Sequence, residues 1–256
     1  MGWDLGLDRV NRVAAALNVK PPANTVILVA GTNGKGSCCE ALNTLSMEAG
    51  LKTGLTTSPH IHQFSERIRI GGRPVEDRII AAAFETIEQA RGETTLTYFE
   101  FASLAAMVIF ESEALDVAIL EIGLGGRLDA MNVVDPDISV VLPIALDHQE
   151  YLGDSREQIG VEKAGILRPR QPAVIADPDP PLSLIEAANS ASVVARYGRE
   201  FGWEDDRLWW SNDGEILEVS QKAPKLPPIS LAAAMQTAAM LDWPVTPAKL
   251  SYIELL

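Results

Sequence analysis

Residues 27–42, ILVAGTNGKGSCCEAL, pass from an apolar strand through a glycine-rich turn into a helix. No other stretch restricts the fold as tightly. A strand with no polar face must be covered on both sides, and the helix leaving it packs back across a parallel sheet. Gly31, Gly34 and Gly36 let the turn fold tightly and aim successive N–H groups into one concavity, backed by a helix N-terminus. Such a concavity binds anions. Lys35 has the length to reach terminal phosphates, and Ser37 offers a hydroxyl to Mg²⁺. The spelling departs from the common phosphate loop, because Gly36 separates Lys35 from Ser37 and Val29 stands where an earlier glycine is usual.

The rest of the chain alternates strands and helices, which predicts an α/β fold, a mostly parallel sheet flanked by helices. Further strands are expected in KTGLTTS, DVAILEIG, ISVVLPIAL and QPAVIA, and a hairpin in ERIRIGGRPV turning at Gly71 and Gly72. The helix following the loop is expected to end at Gly50. Helices are predicted over 76–91, with Ile79, Ile80, Ala83, Phe84 and Ile87 inward, and over 99–114, nearly apolar and so sandwiched. RLWWSNDGEILEVS reads as a hairpin around Asn212, Asp213 and Gly214, followed by the Pro-rich KAPKLPPI and a helix over 231–241. The expected division is 1–241 as an ATP-binding domain carrying that small β-hairpin region, and 242–256 as the start of a linker to a truncated second domain.

Composition narrows the partners. A net charge of −14 disfavours nucleic acid and anionic membranes, both of which reward basic patches. No apolar run approaches the roughly 20 residues of a spanning helix, and no export signal is visible. The two cysteines, Cys38 and Cys39, are adjacent and cannot staple distant segments, so a reducing, cytoplasmic setting fits.

Several polar residues follow strands, at the edge where open α/β sheets bind ligands. Glu121 closes DVAILE and could hold Mg²⁺, which prefers oxygen donors. His148, after Asp147, reads from the residues alone as a structural hydrogen-bonder more than as a ligand. GLGGRLDAMNVV brings Arg127 and Asp129 close to such a ligand, and Ser58 and His60 of SPHIH could face the same cleft. On its own, the pair Glu162-Lys163 reads as solvated surface.

The motifs AGTNGKGS, SPH, SERIRI, TYFEFASLAA, DVAILEIGLGGRLDA, IALDH and EKAGI occur in this order. Together they resemble the folylpolyglutamate synthase/dihydrofolate synthase family of the Mur-ligase superfamily, its bifunctional bacterial type in particular. The resemblance implies an ATP-dependent amide ligase joining L-glutamate to dihydropteroate or folate through an acyl phosphate, usually as a monomer. By the same resemblance Thr32, Asn33, Gly34, Lys35 and Gly36 cradle the ATP phosphates with Ser37 beside the metal. Ser37, Ser58, Glu121 and His148 match metal-site positions, and Lys163 matches a lysine carbamylated to help hold a second Mg²⁺. Lys35, Lys163 and His148 are then the catalytic candidates. Asp4, Leu5, Gly6, Leu7, Thr97, Tyr98, Phe99, Glu100, Leu128, Asp129 and Ala130 match the dihydropteroate pocket.

The chain also departs from the pattern. Family members carry a second Rossmann-like domain, supplying an arginine and an aspartate to ATP, after the point where this chain ends. Ser230 or Leu231 stands where an asparagine often reaches the nucleotide, and Met131 replaces a threonine. A truncated chain or fragment is therefore expected, and an ATP- or pterin-binding module without turnover stays open beside the ligase. A generic P-loop NTPase is disfavoured by Gly36 and the folate-type segments. A peptidoglycan-precursor ligase would need a sugar-nucleotide domain before the loop.

Overall fold

The structure is a computed structural model and describes residues 6–220 and 225–244. Helix α1 (Asp8–Leu17) precedes β1 (Ala23–Ala30), which the glycine loop joins to α2 (Lys35–Glu48). There follow β2 (Thr53–Thr56), the hairpin of β3 (Ile68–Ile70) and β4 (Arg73–Pro74), then α3 (Asp77–Arg91) and α4 (Tyr98–Ser112). The chain continues through β5 (Leu115–Glu121), β6 (Ile138–Val141), α5 (Gln149–Leu152), α6 (Arg156–Ala164), β7 (Ala173–Ile175), α7 (Leu182–Ala188) and β8 (Val194–Arg196). Strands β9 (Phe201–Glu204), β10 (Arg207–Asn212) and β11 (Glu215–Ser220) form a separate antiparallel sheet before α8 (Pro228–Met240).

The main sheet has the order β4-β3-β2-β5-β1-β6-β7-β8, parallel except for β3 and β4 at one edge. Strand β1 lies centrally, and its side chains alternate between two cores. Val26, Leu28 and Ala30 pack with α1, α3, α4, α6 and α7, while Ile27 and Val29 pack with α2, α8 and the small sheet. Both faces are covered, so the continuous apolar run is what this position requires. The chain reversals leave the C-terminal ends of β1, β2, β5 and β6 along one edge, with the glycine loop at its centre.

The expected α/β architecture is observed, with local differences. Ile79, expected inward, lies on the outer side of α3 at 36% exposure. Helix α2 is capped by Ala49, and Gly50 sits one residue beyond with φ +82°, where a side chain would be strained. Residues 245–256, and with them most of the expected linker, lie outside the described residues.

Candidate active site

The loop after β1 is pinned on both flanks. Thr32 N–H donates to the Pro143 carbonyl (2.9 Å), and its hydroxyl exchanges hydrogen bonds with the Ala145 backbone. Gly34 is the N-cap of α2 with φ +84°, and a Cβ there would stand 2.6 Å from Ser230 Oγ. The Ser230 hydroxyl donates to the Gly34 carbonyl (3.1 Å), so α8 holds the loop from behind. Asn33 is exposed at the tip, and Ser37 is half-buried in the first turn of α2.

Two lysines meet at this loop. Lys35 Nζ donates to the Gly31 carbonyl (3.1 Å), and so does Lys163 Nζ from α6 (2.9 Å). Lys163 is only 4% exposed, which overturns its reading as solvated surface. Its neighbour Glu162 turns to Arg127 (2.7 Å). Burial first, then the Lys35 charge, push the Lys163 pKa down to about 8. Thr32, Asp147 and His148 border the same cavity. His148 has φ +47° at the start of α5, with Nε2 3.7 Å from Asp147 Oδ2.

Glu121 reaches the loop from the other side. A Cβ on Gly36 would lie 3.9 Å from its Oε2, and that oxygen accepts the Ser58 N–H (2.8 Å). Burial pushes its pKa up to about 7, against the Ser58 hydrogen bond and Lys35. A carboxylate so poorly solvated gains from a cation beside it. Among the described residues, no group of three or more His, Cys, Asp or Glu could hold a metal ion. Mg²⁺ needs no such cage, since it keeps waters and shares phosphate oxygens with one or two carboxylates.

Ser58 and Glu121 border a second cavity, together with Arg67, Phe99 and Met131. The carboxylate-bearing side of the loop and the His148 side are thus adjacent clefts separated by Ile122 and Gly123. Phe99 rests on the bare Gly123 backbone, where a Cβ would stand 2.4 Å from the ring. Thr97 and Glu100 cap α4 reciprocally, and Glu100 also accepts from Arg9 Nη2 (3.0 Å), tying α1 to the head of α4. Asp129 is buried, and burial raises its pKa to about 6. Its carboxylate accepts the Leu124 and Met131 N–H groups and so shapes the glycine-rich turn. Ala130 is buried, Leu128 and Leu7 are half-buried, and Tyr98 is 60% exposed at the rim. Gly6 lies just before α1, whereas Asp4 and Leu5 lie outside the described residues. Sequence reasoning gave no role to Arg67, which enters it only as part of the motif SERIRI. The structure sends Glu66 elsewhere, onto the N–H groups of Ile61, His62 and Gln63.

A parallel sheet bearing an anion loop, two converging lysines and a strand-end glutamate is the arrangement of a phosphate-binding α/β domain. Residues 29–222 match the family described as Mur ligase middle domain, and the chain belongs to that family. It is similar to the dihydrofolate synthase/folylpolyglutamate synthase of Escherichia coli strain K12, 44% identical over 234 residues, which cover 91% of this chain and 56% of that protein. Among solved structures, E. coli FolC in complex with DHPP and ADP matches with a TM-score of 0.93 at 40% identity, covering 100% of this chain and 63% of that one. A bifunctional folylpolyglutamate synthase/dihydrofolate synthase with Mn, AMPPNP and L-glutamate bound matches with a TM-score of 0.90 at 37% identity, covering 99% and 64%. The chain spans about half the length of the curated relatives it matches. Among the described residues no helix is long and apolar enough to cross a membrane.

Proposed function

We propose that this chain is the ATP- and acyl-substrate-binding part of a ligase that joins L-glutamate to dihydropteroate, and to folates when it extends polyglutamate. The observation that carries the reading is the convergence of Lys35 and Lys163 on Gly31 with Glu121 entering from the opposite side. The relatives' names and ligands support it. The loop N–H groups and Lys35 bind the triphosphate, and Ser37, Ser58, Glu121 and His148 are the residues that would hold Mg²⁺. Two such ions, when bound, would supply charge neutralisation at the transferring phosphoryl group. The substrate carboxylate attacks the γ-phosphorus and ADP leaves. The glutamate amine then attacks the acyl carbon, phosphate departs and the amine proton is lost to solvent. Lys163, with a pKa near 8, offers a neutral amine fraction that can take up CO₂ and release a proton, becoming a carbamate. The protein acts as a cytoplasmic monomer without nucleic-acid or membrane partners, in keeping with its charge of −14.

The test is incubation with Mg-ATP, dihydropteroate and L-glutamate, following ADP and dihydrofolate. Formation of both, dependent on pteroate, is expected. ADP released without pteroate dependence assigns a plain nucleotidase instead, and tight binding without turnover assigns a binding module.

A further inference from the structure

The cavity under Phe99 contains a cation that the phosphate chemistry leaves unused. Arg67 is half-buried, and its Nε donates to His60 Nδ1 (2.7 Å). His60 accepts that bond through Nδ1 and so fixes the guanidinium plane. The guanidinium carbon lies 5.5 Å from the centroid of the Tyr98 ring and 6.0 Å from that of Phe64, both cation–π distances. Among the described residues, Nη1 and Nη2 carry no hydrogen bond and no carboxylate pairs with Arg67. Glu66 is committed to three backbone N–H groups, and Glu121 accepts from the Ser58 N–H. Arg9, Arg69, Arg127 and Arg168, by contrast, each face a carboxylate.

We propose that the Nη1/Nη2 fork of Arg67 receives the carboxylate of the aromatic acid substrate and aims it at the phosphate loop. The same cavity is narrow and is lined by the apolar groups Phe99, Ala102 and Met131, with Ser58 and Glu121 beside them. A planar fork held along its Nε edge matches a carboxylate in two parallel hydrogen bonds, which a lysine cannot do. Phosphate is already provided for on the Lys35 side, so the group left for Arg67 is the substrate's own carboxylate. This assignment rests on the ligase reading above and adds a specificity residue to it.

The test measures dissociation constants for dihydropteroate and for its carboxamide by calorimetry, with ADP binding as a control for the fold. The wild-type protein is expected to prefer the acid by about tenfold or more. Arg67→Gln should abolish that preference by weakening the acid alone, with ADP binding unchanged. Arg67→Lys should restore only part of it, and His60→Ala should lower it by freeing the guanidinium plane. An Arg67→Gln variant that keeps the preference, or weakens acid and amide equally, overturns the role of Arg67 while leaving the ligase reading intact. A wild-type protein that binds neither compound overturns the substrate assignment itself, and this role with it.

Discussion

At the phosphate loop a single backbone oxygen, that of Gly31, receives ammonium groups from α2 and α6, whereas the cavity under Phe99 holds one arginine framed by rings. The first region is dense in charge, closely bonded and centred on eight consecutive residues. The second is largely apolar and is gathered from three segments distant in sequence, the 56–68 stretch, the head of α4 and the turn after β5. On the proposed function, the pair teaches how the domain would divide its work. Triphosphate is a generic ligand that a local motif can grip, while an aromatic acid has to be recognised by surfaces that only the complete fold assembles.

The sharpest way to break that division is Lys163→Ala. If the lysine serves phosphoryl transfer, ADP release should fall about 100- to 1,000-fold, while dihydropteroate binding changes little. Short carboxylic acids added to the variant should recover part of the rate if a carbamate is the working form, and undiminished turnover removes the role. Next is Gly34→Ala, which forces a side chain into the left-handed region and against Ser230 Oγ. A loss of about 1–2 kcal/mol of stability is expected, together with weaker ADP binding, read by thermal denaturation and calorimetry. Gly123→Ala probes the other side. Its methyl would collide with the Phe99 ring, so substrate affinity should drop about tenfold with ADP affinity unchanged. Equal losses of both ligands would show that the two clefts are one. The smallest effect concerns Glu66, whose pKa is held below the usual carboxylate range by the N–H groups of Ile61, Gln63 and His62. A lowered pKa means the ordering is present at neutral pH and is lost as pH falls through that value. Protection factors, taken relative to the intrinsic exchange rate at each pH, should therefore fall in acid at those three residues while those in α2 do not, and a parallel fall would count against the separation.

The same contrast governs what could be read from the chain beforehand. Strand β1, the loop and α2 were legible because strand, turn and helix signals lie next to each other, and each demands the others. Glu121 was legible as a carboxylate closing an apolar strand. Lys163 was not, on residue pattern alone, since Glu-Lys on a polar helix looks solvated until α6 docks its last turn against Gly31. Arg67 was hidden because the rings and the imidazole that frame it come from Phe64, Tyr98 and His60, which only the folded chain gathers. Strands β8 and β9, of three and four residues, and the seven-residue α7 are too short to establish a period. Ile79 falls within the inward stripe of α3 by spacing, yet it lies on the side of that helix that no neighbouring element covers.

Ser230 gives the small antiparallel sheet an influence beyond its own packing. Gln236 of α8 is bonded at both ends to the Ser211 backbone in β10 (2.9 and 3.1 Å), and six residues earlier on the same helix Ser230 reaches Gly34. Strand, helix and loop tip are thereby linked in series like the arms of a bell crank. The outer sheet and the turn at the head of α2 therefore share one helix as their common support.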